Sequence, residues 1–189
     1  YVDVNHDGVI NASDKVDLGN GLPKYTFGFN FSLAWKGFDL SANFTGAAGF
    51  QIAQSYRDPS SSQANYSRRI LKRWTGEGTS NEIPRVTYGD VGNWLFSDLY
   101  LQDGDYIRLQ NLTMGYDFKK LISWKGLSKM RLYFQVQNLF TLTKYDGMDP
   151  EIGSFNGTDG NSSDSWVSGV DMGYYPHPRT FIVGLNLAF

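Results

Sequence analysis

Residues 3 to 14 read DVNHDGVINASD, with oxygen-bearing side chains at alternate positions around a glycine. Asp3, Asn5 and Asp7 stand at the first, third and fifth places and Gly8 at the sixth, where the chain must turn sharply. Val9 follows with a backbone carbonyl to offer, Ile10 as an apolar anchor, Asn11 at the ninth place and Asp14 at the twelfth. Hard divalent cations collect about six to eight oxygen ligands, and this is the spacing of a calcium loop. The expected chemistry is a structural Ca2+ held by Asp3, Asn5, Asp7, Val9, Asn11 and Asp14. The twelfth ligand is usually the longer Glu; Asp14 is shorter. No amphipathic helices flank the stretch, so it reads as an ion clip rather than a sensor. The bland reading is an Asx-rich surface turn, because Asn, Asp and Gly dominate turns anyway.

Little else points to reaction chemistry. The histidines are His6 and His177, with no metal-protease spacing, and no nucleophile elbow is present. GEGTSN at 76–81 lacks the lysine of a phosphate loop. The absence of cysteine removes disulfides, thiol catalysis and Cys-ligated zinc. A net charge of −2 and a pI near 5.6 give no pull toward nucleic acid. The chain is therefore expected not to be an enzyme. Trp74, Trp94, Trp166 and Tyr175, in long polar stretches, are candidates for stacking on a substrate; packing of the loops against themselves is the competing role.

The elements that carry these residues are strands. In RTFIVGLNLAF at 179–189, Phe181, Val183, Leu185, Leu187 and Phe189 share one side; Thr180, Gly184, Asn186 and Ala188 share the other, with Ile182 the exception. Tyr25, Phe27, Phe29, Phe31, Leu33 and Trp35 likewise oppose Thr26, Gly28, Asn30, Ser32 and Ala34. Lys36-Gly37 makes a tight turn, and Phe38, Leu40, Ala42 and Phe44 return against Asp39, Ser41, Asn43 and Thr45. Leu112, Met114, Tyr116 and Phe118 continue the pattern, as do Met130, Leu132, Phe134 and Val136. Arg108 and Gln110 share the apolar parity of their strand, which suggests that this strand projects beyond the bilayer there. Mean hydropathy is −0.38, and no apolar run approaches the ~18 residues of a helical span. Membrane-barrel strands escape such averages because half their residues are polar.

Five strands result, at about 24–35, 37–47, 104–118, 129–142 and 179–189, joined by connections alternately short and long. Outer-membrane barrels have short periplasmic turns and long extracellular loops. The expected topology has segments 1–20, 46–103 and 143–178 outside and the C-terminus in the periplasm. A short helix is expected from Ser67, with Ile70, Leu71 and Trp74 at helical spacing. Tyr25, Phe27, Phe29, Phe31, Leu33, Phe38, Phe44, Phe134, Phe181 and Phe189 would face lipid. Five strands cannot close a barrel, since single chains start at about 8, so the chain is expected to complete a larger one. With no secretory leader at Tyr1, it is expected to be part of a longer protein.

With those residues in view, DVNHDGVINASDKVDLGNGLPKYTFGFNFSLAWKGFDLSANFTGAAG, RWTGEGTS, YLQDGDYIRLQNLTMGYDF, GLSKMRLYFQVQNLFTLTKYDGMDPEI and YYPHPRTFIVGLNLAF resemble the C-terminal part of SusC/RagA-type TonB-dependent transporters of Bacteroidota. The resemblance implies an all-β fold, the last antiparallel strands of a barrel of about 22 strands, in the outer membrane. It implies a plug domain and TonB contact outside this chain, and a SusD-like surface lipoprotein as partner. The cargo it implies is oligosaccharide or peptide. The terminal GLNLAF also resembles an outer-membrane β-signal. Residues 50–65 and 154–170, where substrate choice would lie, match nothing specific. The alternative is a soluble β-sandwich binding module with a dockerin-like calcium loop, whose apolar strand faces a second sheet would cover. A passive porin is a third reading, which the calcium loop and the quoted segments disfavour.

Overall fold

The computed structural model describes residues 1–55, 68–86, 96–122, 124–152 and 169–189. Its described residues hold eight strands: β1 (Tyr25–Trp35), β2 (Phe38–Ala48), β3 (Gln51–Gln54), β4 (Leu101–Asp103), β5 (Tyr106–Asp117), β6 (Lys129–Thr143), β7 (Val170–Asp171) and β8 (Thr180–Ala188). The expected alternating stretches all appear, in an antiparallel sheet ordered β1-β2-β5-β6-β8. Two compact units form, one of residues 1–21, 51–102 and 152–173, the other of 22–50, 103–151 and 174–189. The second unit is this sheet with its connections.

Register fixes which side chains share a face, because a strand's side chains alternate across the sheet. One row runs Leu33, Leu40, Met114, Phe134, Val183 across all five strands. The next runs Phe31, Ala42, Leu112, Val136, Phe181. On the opposite face the rows are Asn30, Asn43, Asn111, Gln137, Thr180 and Ser32, Ser41, Thr113, Gln135, Ile182. Ile182 thus sits among polar neighbours, as its parity required. The turn between β1 and β2 is made at Lys36 (φ 48°) and Gly37 (φ 95°). Two successive left-handed residues match the right-handed twist of a hairpin.

The structure departs from the sequence expectation at three places. Arg108 does not lie on the apolar face. Phe44 pairs with Leu109 while Asn43 pairs with Asn111, so β5 carries one residue more than β2 there; against β6, Leu109 pairs with Phe140 and Asn111 with Gln137, which leaves Asn138 and Leu139 opposite Gln110. Gln110 is the extra residue of a β-bulge, which switches the parity of everything before it. Ile107 and Leu109 therefore join the apolar face, and Tyr106 and Arg108 join the polar one. Secondly, the stretch after residue 46 is not free of strands. β2 continues to Ala48, and β4, β3 and β7 form a second, three-stranded sheet, with Ala53 and Gln54 parallel to Val170 and Asp171. Ile52 at its centre is fully buried. Lastly, the expected helix is a single 3-10 stretch, Arg68–Lys72, after which Trp74 N–H bonds Ile83 O at 2.9 Å. Its expected cap Ser67 lies outside the described residues.

Candidate functional site

The apolar face stays uncovered. Phe29 is 60% exposed, Phe181 61% and Val183 72%. Tyr25, Phe27, Phe31, Leu33, Phe134 and Phe189 are exposed too, and Phe38 and Phe44 are half-buried within the sheet. A sandwich would bury these rings under a second layer at a gain of about 1.5–3 kcal/mol for each large side chain. Left in water they form an apolar patch far beyond what soluble proteins show. Lipid is the solvent that suits them. β1 and β8 lie at the two edges of the sheet, and strand edges inside a bilayer must be paired because no water is there to satisfy them.

The polar face is cross-linked. From β6, Arg131 reaches past β5 to Asp39 on β2, with Nε to Oδ1 at 2.8 Å and Nη2 to Oδ2 at 2.5 Å. This bidentate fork passes over Gly115, where a Cβ would come within 2.6 Å of the guanidinium. Tyr133 stacks beneath the same guanidinium, 5.0 Å from its ring centre, and lies over Gly184, where a Cβ would stand 2.2 Å from the ring. Two glycines on β5 and β8 thus make room for two large β6 side chains to lie flat along the wall. Gln135 bonds Asn111 at 3.3 Å. The face is hydrated in character and almost neutral.

Where the long connections meet the sheet, the bulge delivers Arg108 into a buried cluster that sequence reasoning missed. Its side chain is 3% exposed and pairs with Asp149, itself 5% exposed. Arg108 Nη1 also donates to Glu151 at 2.8 Å and Nε to Thr141 Oγ1 at 3.0 Å. Asp149 further accepts from Glu151 N–H at 2.9 Å and His177 N–H at 3.1 Å, and its Oδ2 lies 3.0 Å from His177 Nδ1. Burial alone would raise the Asp149 carboxyl; hydrogen bonds from Glu151 and His177, with the Arg108 charge, outweigh it and hold the group below the ordinary carboxylate range. The cluster ties β5, β6, the connection after β6 and the approach to β8 at one point. It borders a cleft of about 260 Å³ lined also by Phe140, Met148 and Arg179. Only the proximity of Asp149 and Glu151 in MDPE was visible in sequence; Arg108 lies 41 residues away.

In the calcium-like loop, Asp3 accepts from Gly8 N–H at 2.8 Å and Asp7 N–H at 3.3 Å. Asn5 Oδ1 accepts from Asp7 N–H at 3.0 Å, and Asp7 Oδ1 from Val9 N–H at 2.8 Å. Asp14 accepts from Val4 N–H at 2.9 Å and Asn11 N–H at 2.7 Å, closing a reciprocal capping box with Asn11. Its carboxyl is held low, first by the Asn11 bond, which works against desolvation, and then by those from Val4 and Asn5. Among the described residues no three His, Asp or Glu side chains are grouped to hold a metal by themselves. The full donor set adds the amides of Asn5 and Asn11 and the Val9 carbonyl. Each carboxylate has about four lone-pair sites, so acceptors remain for a hard cation. The donor chemistry fits calcium.

Of the aromatic candidates, Trp74 is partly exposed in the first unit and Tyr175 is 83% exposed in the second. Trp94 and Trp166 lie outside the described residues.

A sheet with one lipid-suited face, one neutral polar face and connections alternately short and long is a wall segment of a transmembrane β-barrel. No family model matches the chain. Along its whole length it is 35% identical to TonB-dependent receptor P3 of Formosa agariphila and 29% identical to TonB-dependent receptor SusC of Bacteroides thetaiotaomicron. It spans 19% and 17% of those proteins, about a fifth of their length. The RagAB peptide importer in its closed-closed state superimposes over 97% of this chain and 20% of its own, with a TM-score of 0.69 at 22% identity. Another RagAB peptide transporter structure covers 86% of this chain and 17% of its own, with a TM-score of 0.65 at 25% identity. Over its whole length the chain is similar to a segment of TonB-dependent receptors of the SusC type, and it shares the fold of the matching segment of RagAB.

Proposed function

We propose that this chain is part of the wall of an outer-membrane transporter that imports oligosaccharides or peptides, driven through TonB and assisted by a SusD-like surface lipoprotein. The observation that carries the reading is a match to SusC along the whole of this chain, together with an exposed apolar face of bilayer character. Likeness to an importer of peptides supports the peptide half of the cargo class. The plug and the contact with TonB belong to parts of the protein beyond this segment. On this reading the 36–37 turn and the 118–128 connection are periplasmic, as is Phe189. Segments 1–20, 46–103 and 143–178 are extracellular and meet lid and cargo. Deleting the gene should abolish growth on the transported glycan or peptide, and complementation with a copy lacking the TonB contact should not restore it. Restoration by that copy would contradict active import.

The loop at 3–14 is proposed to hold a structural Ca2+ that stiffens an outer segment, with Asp3, Asn5, Asp7, Val9, Asn11 and Asp14 as ligands. Its Asx hydrogen bonds already arrange the carboxylates around a glycine turn, which supports the assignment. Calcium should protect this segment from protease in the intact protein, and Asp3→Ala with Asp7→Ala should remove the protection. Equal cleavage with and without calcium would leave only the turn.

A further inference from the structure

The geometry points to the short-turn end of the sheet as a binding surface for anionic phospholipid headgroups, a proposal that rests on the barrel-wall reading. Charge is distributed unevenly along the strands. At the end carrying the 36–37 turn and the 118–128 connection stand six basic residues against two acidic ones, while the opposite end of the same unit carries four against five. Both acids at the short-turn end are already committed. Asp39 is gripped by Arg131, and Asp117 Oδ1 accepts from Lys119 N–H and Met130 N–H. Lys36, Lys119, Lys125 and Lys129 make no ion pair among the described residues. Lys36 lies 5.0 Å over the Trp35 ring, and Lys119 donates to the backbone carbonyl of Trp124 at 2.7 Å, so one cation is held on an interfacial ring and a second on the backbone beside another.

Those aromatics mark the depth of the surface. Trp35, Phe38 and Tyr116 form one row on the apolar face, continued by Leu132 and Leu185. Just beyond it, Trp124 meets Phe189 edge-on at 6.5 Å, and Tyr116 meets Phe118 at 5.0 Å. Trp and Tyr rings settle at the headgroup level, and lysines within reach of it extend their ammonium groups toward phosphate. Each basic group near an anionic bilayer surface gains attraction that falls off within a Debye length. Charge complementarity thus selects the phosphate of an anionic lipid over a zwitterionic one.

The test uses the full-length transporter, delipidated in mild detergent and titrated with phosphatidylglycerol or phosphatidylcholine of identical acyl chains, with native mass spectrometry counting bound lipid. Phosphatidylglycerol should bind more tightly, and Lys36→Gln with Lys119→Gln, Lys125→Gln and Lys129→Gln should weaken it at least about fivefold while leaving phosphatidylcholine unchanged. Lys24→Gln with Lys144→Gln, at the opposite end, should change neither by more than about twofold. Equal binding of the two lipids, a preference kept by the fourfold variant, or an equal loss in the control pair overturns the proposal. So does loss of lipopolysaccharide rather than phosphatidylglycerol from the fourfold variant. Should that variant fail to assemble, Lys36→Gln with Lys125→Gln serves, since both side chains are exposed and outside the Arg131 cross-link; an unchanged preference there is equally contrary. A protein that stays monodisperse without detergent would instead refute the barrel reading itself.

Discussion

Arg108 shows how one side chain can hold a connection in place. Its guanidinium, out of water, is paid for by Asp149, Glu151 and Thr141 together. Removing one partner of a buried pair leaves the other charge stranded, which costs about 3–5 kcal/mol. Arg108→Met should therefore loosen the segment between β6 and β8, read as faster proteolysis there and a lower melting temperature. Glu151→Gln should do much less, since Glu151 is 46% exposed and its share is screened. The pH dependence has a definite sign. Asp149 lies below its ordinary pKa when folded, so its contribution is complete above the unfolded value near ~3.9 and is lost as pH falls through the lowered one. Protease resistance of this connection should hold at neutral pH and fail only in strong acid.

At the scale of the element, each strand of the large sheet has a lipid side and a polar side, and the two should respond oppositely to charge. Val183→Arg, in the middle of the apolar rows, should destabilise the assembled wall by about 2–4 kcal/mol. Thr113→Arg, on the opposite face, should cost far less; folding can be followed by heat-modifiable migration on gels. Gly115→Ala and Gly184→Ala should each cost about 1–3 kcal/mol, because the added methyl meets Arg131 or the Tyr133 ring. The five long strands were legible from the sequence because each is 9 to 15 residues long and period two holds over a long part of it. The bulge was not, since nothing in IRLQNL marks Gln110 as the extra residue, and one skipped position inverts the assignment of Arg108. β3, β4 and β7 are 2 to 4 residues long, too short for alternation to stand out. The Arg108 cluster joins segments far apart in sequence, so only the register of β5 on β6 brings it together. The Asx turns at 3–9 are the opposite case, since their hydrogen bonds join residues no more than five apart.

At the scale of the whole molecule, the exposed face and the two edge strands have one common explanation: the sheet continues into more barrel and is solvated by lipid. The sequence relatives, about five times as long as this chain, agree with that. The most direct test is to fractionate membranes from the native cell and follow the full-length species carrying this sequence through extraction. The account predicts that it stays with the outer membrane, resists salt and alkaline washes, and comes into solution only with detergent. Recovery of the same species in the aqueous fraction, monodisperse without detergent, would contradict the barrel wall and return the chain to the calcium-loop binding module.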